Sequence, residues 1–498
     1  MRAAGLRSQK FWSAVTRYRF LIQAMLLSTN AGPASRLAAS RRDPRCELPL
    51  RTLRTLQRAP VWCMVFVFLA LSHCICATAA ESPNADGFVP LFDGKTLDGW
   101  VNINCAPSTW SVRDGMIHCT GKPIGEQRTE RMYQNFVLEL QWQHLQPMGN
   151  AGVFVWADAI TAPGQPFHRA VEVQVLDGRE GPGYTSDGDI FPIHGSTLKP
   201  DNGRGGMRAF PTEKRSKPSP EWNHYRITCN DGSISLAVNG KVVTSGSECS
   251  LRKGYICLES EGSPANFRNL RIQELPATPL DPEQVAKVDE GFVSLYTGVD
   301  LSGWKTHEGL IGHWQPNDWQ LTYDGNATGD DKNLWSERSF KDFELIVDWR
   351  WNGKYEDTTK RPVVLPSGEN AKNADGTEKT IDVPTADSGI LLRGTSTAQV
   401  NIWQWPIGSG ELWSYRNNAS LPAEIRAAAT PSEKADNAVG KWNRFHITMQ
   451  GEHVTVVLNG KTVIDKCHLP GVPAAGPIGL QHHGDPIEFA NIYLKELD

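Results

Sequence analysis

The chain has 498 residues, 17 of them Trp, and a formal net charge of −4. Residues 1–80 hold 12 basic and 2 acidic side chains, a net +10, which leaves about −14 on residues 81–498. So acidic a body excludes nucleic acid as a partner, since that affinity rests on basic side chains at phosphates, and its length suits two domains that can each bury a full core.

The basic head runs into the apolar segment Val61–Ala80, which ends on the small-residue pattern Ala77-Thr78-Ala79. Positive, apolar, small in that order predicts a secretory signal peptide. Residues 1–80 are therefore set apart as a basic leader and signal peptide. The mature protein is expected in the periplasm or outside the cell, with no stable membrane span after cleavage. The competing reading is a membrane anchor, but His73 interrupts the run and no basic stop follows it.

Beyond the leader the chain says nearly the same thing twice. Gly87–Trp100 (GFVPLFDGKTLDGW) returns as Gly291–Trp304 (GFVSLYTGVDLSGW). Glu221–Val243 returns as Lys441–Val463, and Gly254–Leu275 as Gly476–Leu497. An offset of about 200 residues is a duplicated domain, not a solenoid repeat of 20–50 residues. The predicted domains are 85–275 and 289–498, joined by a Pro-rich, charged linker over 276–288.

In chain order the strand signals are Phe136–Trp142, Asn150–Trp156, Val171–Asp177, His224–Thr228, Ser233–Val238 and Phe343–Trp349, most of them alternating apolar and polar residues. Asn239-Gly240 and Asn459-Gly460 each separate two apolar runs, the strongest short hairpin signal. Helical periodicity is confined to a short stretch, Pro422–Ala429. Many short strands with regular turns predict an all-β protein: two tandem antiparallel jelly-roll β-sandwiches. Two long loops interrupt the pattern. Gly178–Pro220 is expected to line a site, and most of Asn352–Asp387 to lack regular structure. Of six cysteines after the leader, five lie in the first copy; one or two disulfides and buried free thiols are both open readings. No zinc-like spacing occurs.

The sharpest candidate site is VEVQVLD, Val171–Asp177. On a strand, Glu172 and Gln174 share one face and the valines the other. A solvated face is the plain alternative. The long loop that follows, the polar-aromatic strand Asn150–Trp156 that precedes, and the second carboxylate of Asp177 favour a cleft suited to acid/base chemistry on a saccharide. His194 is a second acid/base candidate, and Arg204, Arg208 or Lys199 would hold hydroxyls. In the second copy, aligning STAQVNIWQW puts Asn401 at the Glu172 position and Trp403 at that of Gln174. Asn is no base at neutral pH. That copy offers Asp387, Arg393, Gln404, Glu411 and the pair His482-His483 instead. Neighbouring strand residues point oppositely, so at most one of the two histidines lines a site. One catalytic copy, the first, and one copy that binds or has altered chemistry is the expectation.

Together these residues resemble the 3-keto-disaccharide hydrolase family, also described as 3-keto-α-glucoside-1,2-lyase/3-keto-2-hydroxy-glucal hydratase. The resemblance rests on GFVPLFDGKTLDGW, NAGVFVW, VEVQVLD, the EWN…NG hairpin and the last strand, and covers both copies. It implies a concanavalin/laminarinase-like sandwich, export, and action on 3-keto glycosides by β-elimination and hydration. Its E-x-Q-x-L-D pattern falls on Glu172, Gln174 and Asp177, and its Asn/Ser-Gly strand on Asn150 and Gly152. Glu172 is then the expected base, His194 or Asp177 the acid, and Asn150 and Gln174 the donors, with Trp156, Arg204, Asp387, Arg393, Gln404 and His482 expected on substrate. No ligand cluster in the sequence demands a cofactor, and a divalent cation on Asp177 stays an open reading. The competing functions are a non-catalytic pair of carbohydrate-binding modules and a retaining laminarinase-type hydrolase.

Overall fold

The computed structural model describes residues 86–497 except 354 and 356. The leader lies outside the described residues. Among those described, no helix is long and apolar enough to cross a membrane.

Alternating side chains build two β-sandwiches in succession. The first packs a six-stranded antiparallel sheet on a nine-stranded one. The six-stranded sheet runs in the order Trp100–Ile103, Gly125–Thr129, Tyr255–Ser260, Asn150–Ala157, Ala170–Leu176, Ile190–Ile193. Val153, Val155, Val171, Val173, Val175, Ile256 and Leu258 turn inward from it to meet Phe136, Leu138, Leu140, Trp142, Tyr225 and Ile227 of the nine-stranded sheet. The second sandwich repeats the plan with five and eight strands. Its five-stranded sheet runs Trp304–Lys305, Leu334–Ser336, Gly479–Leu480, Asp387–Leu391, Gln399–Trp403. Both Asn-Gly hairpins form as expected: Asn239 (φ 47°) and Asn459 (φ 52°) take the left-handed conformation, followed by Gly240 and Gly460. The short helical segment is real, an α-helix at Ala423–Ala428.

Two expectations are corrected. Much of 352–387 is ordered as a two-stranded hairpin, Thr358–Pro362 against Thr380–Pro384. Its strands are TTKRP and TIDVP, whose Thr, Ile and Val residues supply a ladder despite the polar composition of the segment. Six cysteines, from Cys105 to Cys467, are all free and buried, so the thiol reading holds for the described residues and the disulfide reading does not.

The two sandwiches are joined by a polar junction. Buried Asp348 accepts hydrogen bonds from Arg444 Nε (2.6 Å) and Nη2 (2.8 Å), Asn491 Nδ2 (2.6 Å) and the Gly164 N–H of the first sandwich (2.7 Å). Arg444 and Asn491 also donate to backbone carbonyls of the same first-sandwich loop, at Thr161 and Gln165. Gly164 (φ +65°) lies so close to Trp442 that a Cβ would fall 2.2 Å from the indole ring. Ile103, Ile160, Phe292, Ile346 and Tyr493 form a small apolar cluster beside it.

Candidate active site

The outward face of the six-stranded sheet carries the candidate chemistry. Strand register places Glu172 opposite Phe154 and Phe191, Gln174 opposite Gly152, and Glu259 opposite Glu126. Gly152 leaves a gap between two carboxyl groups: a Cβ there would lie 2.8 Å from Glu259 Oε2 and 3.1 Å from Glu172 Oε1. Asn150 bridges outward. Its Oδ1 accepts from Gln174 Nε2 (3.0 Å) and its Nδ2 donates to Glu261. Glu172 and Gln174 are only 6% and 7% exposed, so the face is a nearly dry floor rather than an open surface.

Crowding of carboxyl groups in a dry site raises their pKa values. Burial, then repulsion from Glu261, drives Glu172 well above the usual carboxylate range, with Arg208 opposing. Glu259 is raised by burial, then by Glu261 and Glu172. Burial pushes Glu261 to about 7. The cluster therefore holds shared protons at neutral pH and offers base and acid together.

The Gly178–Pro220 loop closes one side, as expected. Asp189 O accepts the Gln174 N–H (2.9 Å), Arg208 Nη1 pairs with Asp189 Oδ2 (3.0 Å), and the Arg208 guanidinium lies 3.4 Å over the ring of Phe191. Of the two, Arg208 and not Arg204 reaches the site, where it acts on Glu172, while Arg179 acts on Glu261. Arg204 is exposed and stacks on Phe210 at 3.9 Å. Glu259 and Glu261 were missed as site residues. The signal was present, since Glu259 and Glu261 stand two residues apart in LESEG, the spacing that puts both on one face of an extended segment.

Other expected residues fall elsewhere. Trp156 is wholly buried, packs edge-on against Phe136 and donates from Nε1 to Gln134 O (2.8 Å), so it belongs to the core. Asp177 turns to backbone: its Oδ2 accepts from the Met148 N–H (3.2 Å), holding the turn before Asn150. His194 follows the Ile190–Ile193 strand beyond the Ala170–Ile193 pair, away from Asn150 and Gln174. Burial lowers it to about 4. It stands neutral and is no imidazolium acid.

The second sandwich is not aligned as the sequence suggested. Gly389 pairs with Asn401 and Leu391 with Gln399, as Gly152 pairs with Gln174 and Phe154 with Glu172. Gln399 therefore occupies the Glu172 position, Asn401 that of Gln174, and Trp403 that of Leu176. Pairing Leu334 with Leu480, as Gln127 pairs with Leu258, puts Gln481 at the Glu259 position. Gln399 Nε2 donates to Gln481 Oε1 at 2.7 Å. Two carboxyls facing each other across a glycine have become two amides facing each other across a glycine.

What the second site offers instead is room. A cavity of about 380 Å³ is lined by Arg361, Asp387, Gln399, Trp405, Trp413 and His483, among others. Trp403 and Trp405 stack at 3.6 Å, and Arg361 of the hairpin lies 4.7 Å over Trp405. His483 Nε2 is 3.7 Å from Asp387 Oδ2. Burial raises Asp387 to about 6, with His483 and Arg361 opposing. The histidine that lines the site is His483. His482 bonds through Nδ1 to Tyr323 Oη. Arg393, 2% exposed, donates to the carbonyls of Lys341, Gly451 and Pro473 and pairs with Asp342, a structural cross-link rather than a substrate contact. Gln404 lines a separate cavity of about 270 Å³ beside Trp349, Trp351 and Asp436.

The all-β, twin-sandwich fold carries buried carboxyls on one sheet and stacked indoles on its counterpart, and the family and relative it matches make it a carbohydrate-active protein. The chain belongs to the family of 3-keto-alpha-glucoside-1,2-lyase-like domains, whose model matches residues 87–273 and 291–495. It is 28% identical over 236 residues to a 3-keto-disaccharide hydrolase of Bacteroides thetaiotaomicron, spanning 39% of this chain and 80% of that protein. Two crystal structures of putative glycosyl hydrolases from Parabacteroides distasonis match with 25% and 24% identity, covering 39% and 38% of this chain and 95% and 99% of theirs, at TM-scores of 0.31 and 0.28.

Proposed function

We propose that this protein is a glycoside-acting enzyme that cleaves 3-keto glycosides by β-elimination and hydration, with the first sandwich catalytic and the second binding saccharide. The observation that carries the reading is the Glu172–Glu259 pair across Gly152, set against the Gln399–Gln481 pair across Gly389. Family membership supports the substrate class. A ketone at C3 acidifies the hydrogen on C2. In the form of the cluster whose shared proton rests on Glu261, Glu172 is the carboxylate: it takes the C2 proton, the C2–H electron pair becomes the C1=C2 bond, and the C1–O bond breaks. The departing oxygen takes a proton from Glu261, which Asn150 holds in place. Water then adds across C1=C2, completing net hydrolysis. Asn150 and Gln174 orient the sugar, and Arg208 offsets negative charge as the enolate forms. The Val61–Ala80 leader supports export, with a mature N-terminus near Ala80 or Glu81.

The test is aglycone release from matched pairs of 3-keto and plain glycosides. Release from the 3-keto member alone is expected. Release from plain β-glucans would favour the laminarinase-type reading, and saccharide binding without release the binding-module reading.

A further inference from the structure

The mechanism leaves one group of side chains unused. Glu126 on Gly125–Thr129, Cys257 on Tyr255–Ser260 and His168 on the loop before Ala170–Leu176 converge beneath the outward face of the first sandwich. Their ligand-type atoms all lie within 4.8 Å of one another, and all three side chains are buried. We propose that Glu126, His168 and Cys257 form a binding site for a zinc-type divalent metal ion, a role independent of the catalytic reading.

Three features of the geometry support it. The His168 Nδ1–H donates to Asp158 O, since a carbonyl can only accept, so in the neutral ring Nε2 is the free nitrogen. This is how metal-binding histidines are oriented by their surroundings. The His168 backbone N–H donates to Glu126 Oε1 (3.1 Å), leaving Oε2 as the free oxygen. Those two free atoms then face each other at 2.9 Å, yet neither has a hydrogen-bond partner of acceptable geometry. Fully buried acceptors in that relation need a cation or a shared proton between them. The sulfur of Cys257 beside them makes the donor set one imidazole, one carboxylate and one thiol. That N, O, S mixture suits zinc, whose bonds of about 2.0–2.3 Å one ion could make to all three after small rotations. Cys257 would bind as thiolate, releasing its proton to solvent.

The second sandwich supplies an internal comparison. Strand register puts Asn333 at the Glu126 position and Gly479 at the Cys257 position. Asn333 there is engaged by the His482 N–H (2.9 Å). The ligand set therefore belongs to the first copy alone. It also ties two strands to the 162–168 loop, whose Ala162–Gln165 stretch docks on Asp348 and Asn491 of the second sandwich.

Because the site is sealed, the ion is expected to enter during folding. The untagged full chain should be refolded with equimolar Zn²⁺, dialysed against metal-free buffer and assayed for metal by mass spectrometry. About one equivalent per chain is expected, falling at least tenfold in Cys257→Ser and His168→Gln and kept in Cys229→Ser, a buried thiol elsewhere. The Co²⁺ form should show thiolate-to-metal charge transfer, which also decides the matter if Cys257→Ser does not fold. Metal-free wild type, Zn²⁺ retained by a folded Cys257→Ser, or a Co²⁺ form without charge transfer would overturn the proposal in favour of a proton shared between Glu126 and His168.

Discussion

Replacing Asp348 by Ala should cost the junction of the two sandwiches its central acceptor. Asp348 is wholly buried and takes four donors: two from Arg444, one from Asn491 and the Gly164 N–H. Removing the carboxylate leaves the largely buried Arg444 guanidinium with the Thr161 carbonyl as its remaining acceptor, and breaking one partner of a buried pair costs about 3–5 kcal/mol. An exposed pair such as Lys360–Asp382 (3.3 Å) gives the contrast, since surface pairs contribute about 0–1 kcal/mol. Urea unfolding followed by tryptophan fluorescence should therefore show a midpoint that drops steeply for Asp348→Ala and stays put for Asp382→Ala. Because Asp348 also holds the loop of the other sandwich, the variant's single transition should split in two. A loss below about 1 kcal/mol with one transition would refute the reasoning that this junction is both buried and shared.

Three further outcomes are expected. Asp387, raised to about 6 by burial from 3.8, binds its proton more tightly folded than unfolded, so it destabilises the protein fully above about pH 6, and the penalty shrinks as pH falls below 6 and is gone below 3.8. Asp387→Asn should thus gain up to about 3 kcal/mol at pH 7 and flatten the dependence between pH 4 and 6, as urea midpoints against pH will show. Gly152→Ala should abolish turnover while keeping the fold, because its Cβ would push Glu259 and Glu172 from positions 2.8 and 3.1 Å away; circular dichroism and a rate assay together check it. Trp413→Ala, at the 49%-exposed rim of the second cavity, should weaken saccharide binding roughly tenfold by calorimetry, about 1.4 kcal/mol, with turnover of saturating substrate retained.

The scaffold was largely legible from periodicity. Period-two alternation and Asn-Gly turns mark the strands and hairpins because backbone geometry requires them, as Asn239 and Asn459 bear out. Glu172, Gln174 and Asn150 were legible as a group for the same reason: a polar face opposite a valine stripe. What the sequence hid is what period two cannot carry. Sliding the Gln399–Trp403 strand by two residues keeps every side chain on its face, so alternation alone could not tell Gln399 from Asn401 as the partner of Glu172; the ladder with Asp387–Leu391 decides it. Loop-borne cations were equally ambiguous. Arg204 and Arg208 look alike in a Gly-rich stretch, and only folding sets one over Phe210 and the other over Phe191. Trp156 was misplaced because it takes φ 55° at the strand end, which turns its ring to the core side that alternation assigns to Val155.

The central claim is that Glu172 is the base. The most direct measurement is the rate at which Glu172→Gln cleaves a 3-keto glycoside, since the amide keeps the shape found naturally at Gln399 and removes only the ionisable oxygen. A loss on the order of 10²–10⁴ in rate with an unchanged unfolding midpoint is predicted; activity equal to the wild type would contradict the account.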